Sequence, residues 1–163
     1  MVERDFYRLY TDCFTPIYKY VYFRVRDYDV ATDITQDVFS KILEQKQDID
    51  PETELRLLYT IARNKLIDYL RKKKSVNLAP GYEVEDLSIQ SPDKHIMHKN
   101  DTELLLKLLD HLPDDDKEII IMRHLQELEY SEIARITNKA ESHVRQIVSR
   151  GIKKLKELYE QKT

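Results

Sequence analysis

The chain has 163 residues, of which only two are glycine, and 35% of its side chains are charged. This small number of glycines argues against a turn-rich β architecture and favours helices. We therefore expect an all-α protein. The formal net charge of −3 argues against a general polyanion binder. The sequence shows no apolar leader segment and no run of membrane-spanning length, so no membrane insertion is expected.

The first predicted helix is amphipathic. From Phe6 to Val21, apolar residues recur at steps of three and four, which is the period of a helix with one buried face. The one cysteine, Cys13, lies on this apolar stripe and has no partner for an internal disulfide. A lone core thiol is typical of a reducing compartment, so we expect a cytoplasmic protein.

Two further helices are predicted before the middle of the chain. After a break at RDYD, the second helix carries Ile34, Val38 and Ile42 on its apolar side. A polar loop at 45–54 follows. The third helix keeps the helical period from Leu55 to Tyr69 and runs out through RKKK.

Periodicity disappears over residues 75–90, SVNLAPGYEVEDLSIQ, which predicts an extended linker. Ser91-Pro92 then has the pattern of a helix cap followed by proline in the first turn. Helices resume with a leucine stripe at 104, 105, 108, 109 and 112. We therefore expect two small helical domains, at 1–74 and 91–163, joined by this linker.

Basic residues are concentrated in two places despite the negative net charge. Residues 71–74 read RKKK, and from Glu141 onward basic residues outnumber acidic residues. The acid-rich stretches GYEVEDL and LPDDDKE lie between them. This distribution favours two separate contacts with nucleic acid, although either basic run taken alone is equally well explained as a solvated helix end.

Residues 130–158 have the pattern of a helix-turn-helix. Ala134 is small enough for the close approach of two helices, and Asn138 tolerates the left-handed backbone of the turn. On the second helix Val144, Ile147 and Val148 are predicted to face inward, with Leu155 further along. Arginine and glutamine suit base edges, whereas serine and lysine suit phosphates. The outward set is Ser142, His143, Arg145, Gln146, Ser149, Arg150 and Lys153. An ordinary helical hairpin with a basic end has the same pattern.

Three motifs in order resemble the extracytoplasmic-function (group IV) RNA polymerase sigma factors of the sigma-70 family. YDVATDITQDVF at 28–39 resembles D-x-A-x-D-L-T-Q-E-V-F, and LLYTIARNKLIDYLRKKK at 57–74 resembles W-L-Y-x-I-A-R-N-x-x-I-D-Y-L-R-K. HLPDDDKEIIIMRHLQELEYSEIA at 111–134 resembles the family's lead-in to its helix-turn-helix, L-P-x-x-x-R-E-V-L-x-L-R-x-x-x-x-L-S-Y-x-E-I-A. The resemblance covers nearly the whole chain and implies a sigma factor.

The resemblance implies core RNA polymerase as the main partner. The DITQDVF helix would dock on the β′ clamp helices through Asp33, Gln36 and Asp37, a polar row that can meet the basic flank of a partner helix. The β flap, and an anti-sigma factor, are further partners that the family implies. Residues 75–90 would run toward the active-site cleft and the RNA exit path.

The second implied partner is promoter DNA. Asn64 would lie at the pocket that captures an unstacked base of the −10 element, because an amide can both donate to and accept from a base edge. Arg63, Arg71, Lys72, Lys73 and Lys74 would hold phosphates, and the loop at 45–54 would set the base preference. The helix-turn-helix would contact the −35 element as duplex.

The chain departs from the family pattern at several positions. Leu57 replaces a usual Trp, Ala140 a usual capping Ser, and Ile147 a common basic residue. Ser142-His143 stands where Gly-Thr is usual. These departures bear on the −35 sequence that is recognised, not on the fold.

Three alternatives remain open from the sequence. A sigma-like regulator that does not engage polymerase would need neither DITQDVF nor IARN, and a helical protein-interaction domain would show no DNA sequence preference. An enzyme is disfavoured, since no phosphate loop or nucleophile motif is present. His95, His98 and Asp101 have helical spacing but no fourth ligand, so no metal or other cofactor is expected.

Overall fold

The computed structural model describes residues 3–45, 50, 52–77 and 99–162. The chain divides into two compact units, Met1–Gln90 and Ser91–Thr163. Every regular element in the described residues is helical, as the sequence predicts. No helix among them is long and apolar enough to cross a membrane.

The first unit is a three-helix bundle. Helix α1 spans Glu3–Val25, α2 spans Tyr28–Glu44 and α3 spans Glu54–Asn77, and each of the three packs against the other two. The predicted apolar stripes form its core. The fully buried side chains include Ile17, Tyr20, Val21, Val38, Ile42, Leu58, Tyr59, Ala62 and Leu66. Cys13 is buried as predicted, and this burial raises the pKa of its thiol.

The corner between α1 and α2 lies at the predicted break, RDYD. Arg26 adopts a left-handed backbone with φ of 54°, which ends α1 without a glycine. Asp27 then caps α2, because its carboxylate accepts a hydrogen bond from the Val30 N–H at 3.0 Å. These two residues therefore set the position at which α2 begins.

Helix α3 continues past residue 74, the predicted end of the first domain, and ends at Asn77. Ser75, Val76 and Asn77 lack the apolar period, but nothing in them stops a helix, since the next proline is Pro80. The remainder of the predicted linker and the Ser91-Pro92 cap lie outside the described residues.

The second unit is built around its last helix. Helix α4 spans Lys99–Leu109, α5 Asp114–Ile120, α6 Tyr130–Thr137 and α7 Glu141–Lys162, with a π-helical turn at Ile121–Leu125 directly after α5. Helix α7 packs against α4, α5 and α6. The leucine stripe differs from the prediction in one respect. Leu106 is buried, whereas Leu104 and Leu105 are only partly covered.

Gly151 allows α5 and α7 to approach closely. A Cβ atom at this position would lie 2.2 Å from Ile120 Cδ1 and 3.3 Å from Ile120 Cγ1. Glycine in a helix interior costs roughly 1 kcal/mol relative to alanine. The close contact with the buried Ile120 side chain explains why a glycine, and not an alanine, occupies this position.

We expect Gly151→Ala to lower the free energy of unfolding by about 1 kcal/mol, because overpacking costs about 1–3 kcal/mol and the gain in helix propensity offsets only part of it. Ile120→Val removes the Cδ1 methyl that the new Cβ would meet. In that background the same Gly151→Ala change should become neutral or stabilising. Urea unfolding of the four proteins checks this, and an identical loss in both backgrounds would contradict the proposed contact.

Candidate functional site

The polar side of α2 is exposed along its length. Asp33, Gln36 and Asp37 are all exposed, while Ile34 and Val38 on the opposite side are buried in the bundle. The row continues with Leu43, whose side chain is 55% exposed and lies two turns from Gln36 on the same side. Leu43 was not among the predicted contact residues. It could have been recognised from the sequence because it is an apolar residue out of phase with the stripe of Ile34, Val38 and Ile42.

The start of α3 is fastened to α1 by an ion pair. Both amino groups of Arg8 donate to Glu54 Oε1 at 3.2 Å, and the Glu54 side chain is only 14% exposed. Because Glu54 is the first residue of α3, the pair fixes the position of the helix that carries Asn64.

Helix α3 carries all the residues predicted for the −10 contact. Asn64 is exposed and Arg63 is partly covered. Ile67, one turn after Asn64, is 43% exposed and places an apolar side chain beside the amide. Ile67 was not predicted to have a role, since only its exposure in the folded bundle distinguishes it from the core residues around it.

The basic run at the end of α3 is partly engaged within the protein. Arg71 donates to Asp68, and Lys72 Nζ lies 3.6 Å from the same carboxylate. Lys74 is exposed and Lys73 is partly covered. Exposed ion pairs of this kind contribute little stability in water. A phosphate can therefore replace Asp68 as the partner of either basic side chain.

The predicted helix-turn-helix is present. Asn138 follows α6 with φ of 54° and ψ of 45°, and the Lys139 N–H bonds to the Ala134 carbonyl at 3.0 Å. This confirms the left-handed turn. Val144, Ile147, Val148 and Leu155 are buried as predicted. Ile147 stands where the family often has a basic residue. In this chain it is therefore a core residue and not part of the outer surface.

The outer face of α7 carries every residue predicted for the −35 contact. Ser142, His143, Arg145, Gln146, Ser149, Arg150 and Lys153 are all exposed. Two of them have acidic partners that sequence analysis did not name. Arg145 Nη2 lies 2.9 Å from Glu141 Oε1, and Arg150 Nη2 lies 3.5 Å from Asp116 Oδ2 on α5.

Two arginines lie over one aromatic ring beside this face. The Arg123 guanidinium is 4.2 Å from the centroid of the Tyr130 ring, and that of Arg145 is 4.3 Å from the same centroid. Both distances are within the range of a cation–π contact. Arg123 and Tyr130 both match residues of the family's lead-in motif. That match could have marked them as candidate functional residues from the sequence.

The π-helical turn places Arg123 for this contact. The Gln126 N–H bonds to the Ile121 carbonyl, the Leu128 N–H bonds to the Met122 carbonyl, and Glu127 has a left-handed backbone with φ of 57°. The chain thereby turns back, and Arg123 Nη1 donates to the Leu128 carbonyl at 3.0 Å. A backbone feature thus fixes one of the two guanidinium groups beside Tyr130.

Nothing in the described ranges forms a group of three His, Cys, Asp or Glu side chains able to hold a metal ion. Of the three residues with helical spacing named above, Asp101 is exposed on α4, and His95 and His98 lie outside the described residues.

Comparison with known proteins identifies both units. Residues 9–76 match the family described as Sigma-70 region 2, and residues 108–157 match Sigma-70, region 4. The chain is 33% identical to the RNA polymerase sigma factor SigV of Bacillus subtilis, covering 93% of this chain and 82% of SigV. It is 28% identical to the extracytoplasmic-function sigma factor SigM of the same organism, covering 98% of this chain and 96% of SigM.

Two solved structures share the fold. The sigma factor RpoE, in complex with the anti-sigma factor NepR from Bartonella quintana, aligns with a TM-score of 0.79 at 23% identity, over 96% of this chain and 98% of that one. CnrH, in complex with the cytosolic domain of CnrY, aligns with a TM-score of 0.76 at 16% identity, over 99% of this chain and 92% of that one.

Proposed function

This chain belongs to the extracytoplasmic-function group of the sigma-70 family, and on that premise we propose that three separate helical faces contact core polymerase, the −10 element and the −35 element. Its function is that of a sigma factor, which directs RNA polymerase to promoters for transcription initiation. Sigma factors are regulatory DNA-binding proteins, and we assign the chemistry of RNA synthesis to the polymerase alone.

The exposed side of α2 is the proposed docking surface for the β′ clamp helices. Asp33, Gln36 and Asp37 form an acceptor-rich row, and Leu43 adds apolar area at the end of that row. Charge complementarity of this kind sets orientation and association rate, while a buried apolar side chain contributes affinity. A second contact, between the C-terminal unit and the β flap, is proposed from the family alone.

The exposed face of α3 is the proposed site of −10 capture. The Asn64 amide can pair with the edge of an unstacked base, and Ile67 can pack against the flat face of that base or of its neighbour. Arg63 and the run Arg71, Lys72, Lys73 and Lys74 would neutralise phosphates, with Asp68 releasing Arg71 and Lys72 when DNA arrives.

The outer face of α7 is the proposed contact with the −35 element in the major groove. The observation that carries the proposal is the left-handed turn at Asn138, followed by a helix whose four predicted inward residues are buried and whose seven predicted contact residues are all exposed. A helix with these properties can present side chains to base edges while its partner helix crosses the backbone.

An anti-sigma factor is a further proposed partner. Both RpoE and CnrH were solved in complex with another protein, which in the case of RpoE is an anti-sigma factor. A regulator of that kind would limit how much of this chain is available to polymerase.

In vitro transcription with purified core polymerase on a genomic library tests the proposal. We expect start sites that appear only when this protein is added and that share two sequence elements separated by a constant spacer. Core polymerase alone is the control. Binding to DNA without new start sites would contradict the proposal and favour a regulator that does not engage polymerase.

A further inference from the structure

We propose that Tyr130 is a positioning residue for the −35 contact: its ring, held by its contact with Arg123, keeps the Arg145 guanidinium where it meets a base. The inference rests on the proposed function, since it takes Arg145 to be a base-contacting residue. It adds a residue that lies outside the outer face of α7 and that sets how strictly that face recognises its sequence.

The geometry of the stack supports this role. Tyr130 is the first residue of α6, and Arg145 lies in the second turn of α7, so the contact joins the two helices of the helix-turn-helix. The two guanidinium groups lie 4.2 and 4.3 Å from the ring centroid. Each distance is short enough for the ring to attract the cation through its quadrupole.

Arg123 is the fixed end of the stack. Its Nη1 donates to the Leu128 carbonyl at 3.0 Å, and the π-helical turn sets the path of the chain between these two residues. The ring of Tyr130 is therefore held against a guanidinium that the backbone has already placed. Arg145, by contrast, is an exposed side chain that would otherwise sample many rotamers.

Glu141 further restricts the orientation of the Arg145 guanidinium. Its carboxylate lies 2.9 Å from Arg145 Nη2, one turn earlier on α7. Arginine carries several N–H donors in a planar fork, so one donor can meet Glu141 while others meet the acceptors of a guanine. Ring and carboxylate together restrict the guanidinium before DNA binds, which lowers the entropy cost of forming a base contact.

The test is a double-mutant cycle between positions 130 and 145 in reconstituted holoenzyme. Competition binding is measured on a promoter set in which each −35 base pair is replaced in turn. We expect Arg145→Ala to lose discrimination of about tenfold at one base pair. Tyr130→Leu should weaken discrimination at that same base pair, about three- to tenfold, and should have no further effect in the Arg145→Ala background.

Two ring variants separate positioning from simple packing. Tyr130→Phe keeps the ring and is expected to retain most of the discrimination. Replacing Tyr130 with 3,4,5-trifluorophenylalanine keeps its shape but weakens the negative face of the ring, so discrimination should fall relative to phenylalanine. This variant also serves if the leucine protein does not fold.

The outcomes distinguish the two proposals. If Arg145→Ala changes no base preference, the assignment of Arg145 is wrong and the role of Tyr130 falls with it. If Arg145→Ala changes the preference but the ring variants do not, only the role of Tyr130 is overturned. An equal loss on every promoter variant, or a loss that persists without Arg145, would mark Tyr130 as a structural residue or a phosphate contact.

Discussion

Reversing the charge at Asp33 and Asp37 to lysine is expected to weaken binding to core polymerase at least about tenfold, on the order of 1–2 kcal/mol. The reason is that the change would place two cations against the basic flank of the partner helix proposed above. Both residues are exposed on the side of α2 opposite the buried Ile34 and Val38, so the bundle should be unaffected. Titration of labelled protein with core polymerase measures the affinity, and circular dichroism checks the helical content.

The control reverses Asp5 alone, an exposed acid on α1 of the same unit, and is compared with reversal of Asp33 alone. Asp12 is left unchanged because it lies 3.8 Å from Arg8, which pairs with Glu54. The Asp5 variant makes the same change in net charge at a surface with no proposed partner. If both single variants lose affinity equally, the effect is one of long-range charge and not of docking. Wild-type affinity in the Asp33 and Asp37 variant would refute the docking surface.

Asn64→Ala is expected to leave closed-complex formation intact and to reduce strand opening about tenfold or more, since its amide meets a base only after the base is unstacked. Permanganate footprinting reports the opened thymines, and a gel-shift assay on duplex promoter reports the closed complex. Thr60→Ala is the control, because Thr60 lies one turn away on α3 and its hydroxyl bonds to the Arg56 carbonyl within the helix.

The variants of α7 should show the opposite behaviour. Arg145→Ala and Gln146→Ala are expected to weaken duplex binding and relax the −35 preference by about 1–3 kcal/mol for each true base contact. Lys153→Ala should cost less, uniformly across sequences, and reduce the salt dependence, as the loss of a phosphate contact does. Normal opening by Asn64→Ala, together with unchanged preference in the α7 variants, would overturn both assignments.

Much of this structure follows from local patterns that are visible in the sequence. The apolar period predicts the buried faces of α1, α2 and α3 because each amphipathic helix can bury its stripe in only one way. Asn138 predicts the turn of the helix-turn-helix, since few residue types accept a left-handed backbone. The exposed positions of Asp33, Gln36 and Asp37 and of the outer face of α7 follow from the same periods.

Other features depend on residues far apart in the chain. The pairing of Arg150 with Asp116 joins α7 to α5, and the stack on Tyr130 joins α7 to α6 and the π-helical turn. No local period relates these positions. From the sequence, Arg145 and Arg150 are therefore equivalent exposed basic residues, whereas in the structure they have different partners.

The sequence by itself determined the helices, the two units, the turn at Asn138 and the family, because each is encoded by residue type at short spacing. Tertiary structure decided which exposed groups are already engaged. Asp68 pairs with part of the RKKK run, Asp116 pairs with Arg150, and the tight contact between Gly151 and Ile120 sets how closely α7 lies on α5. The physical reason is that packing and ion pairing act between helices, where the partner of a side chain is chosen by distance in space and not by position in the chain.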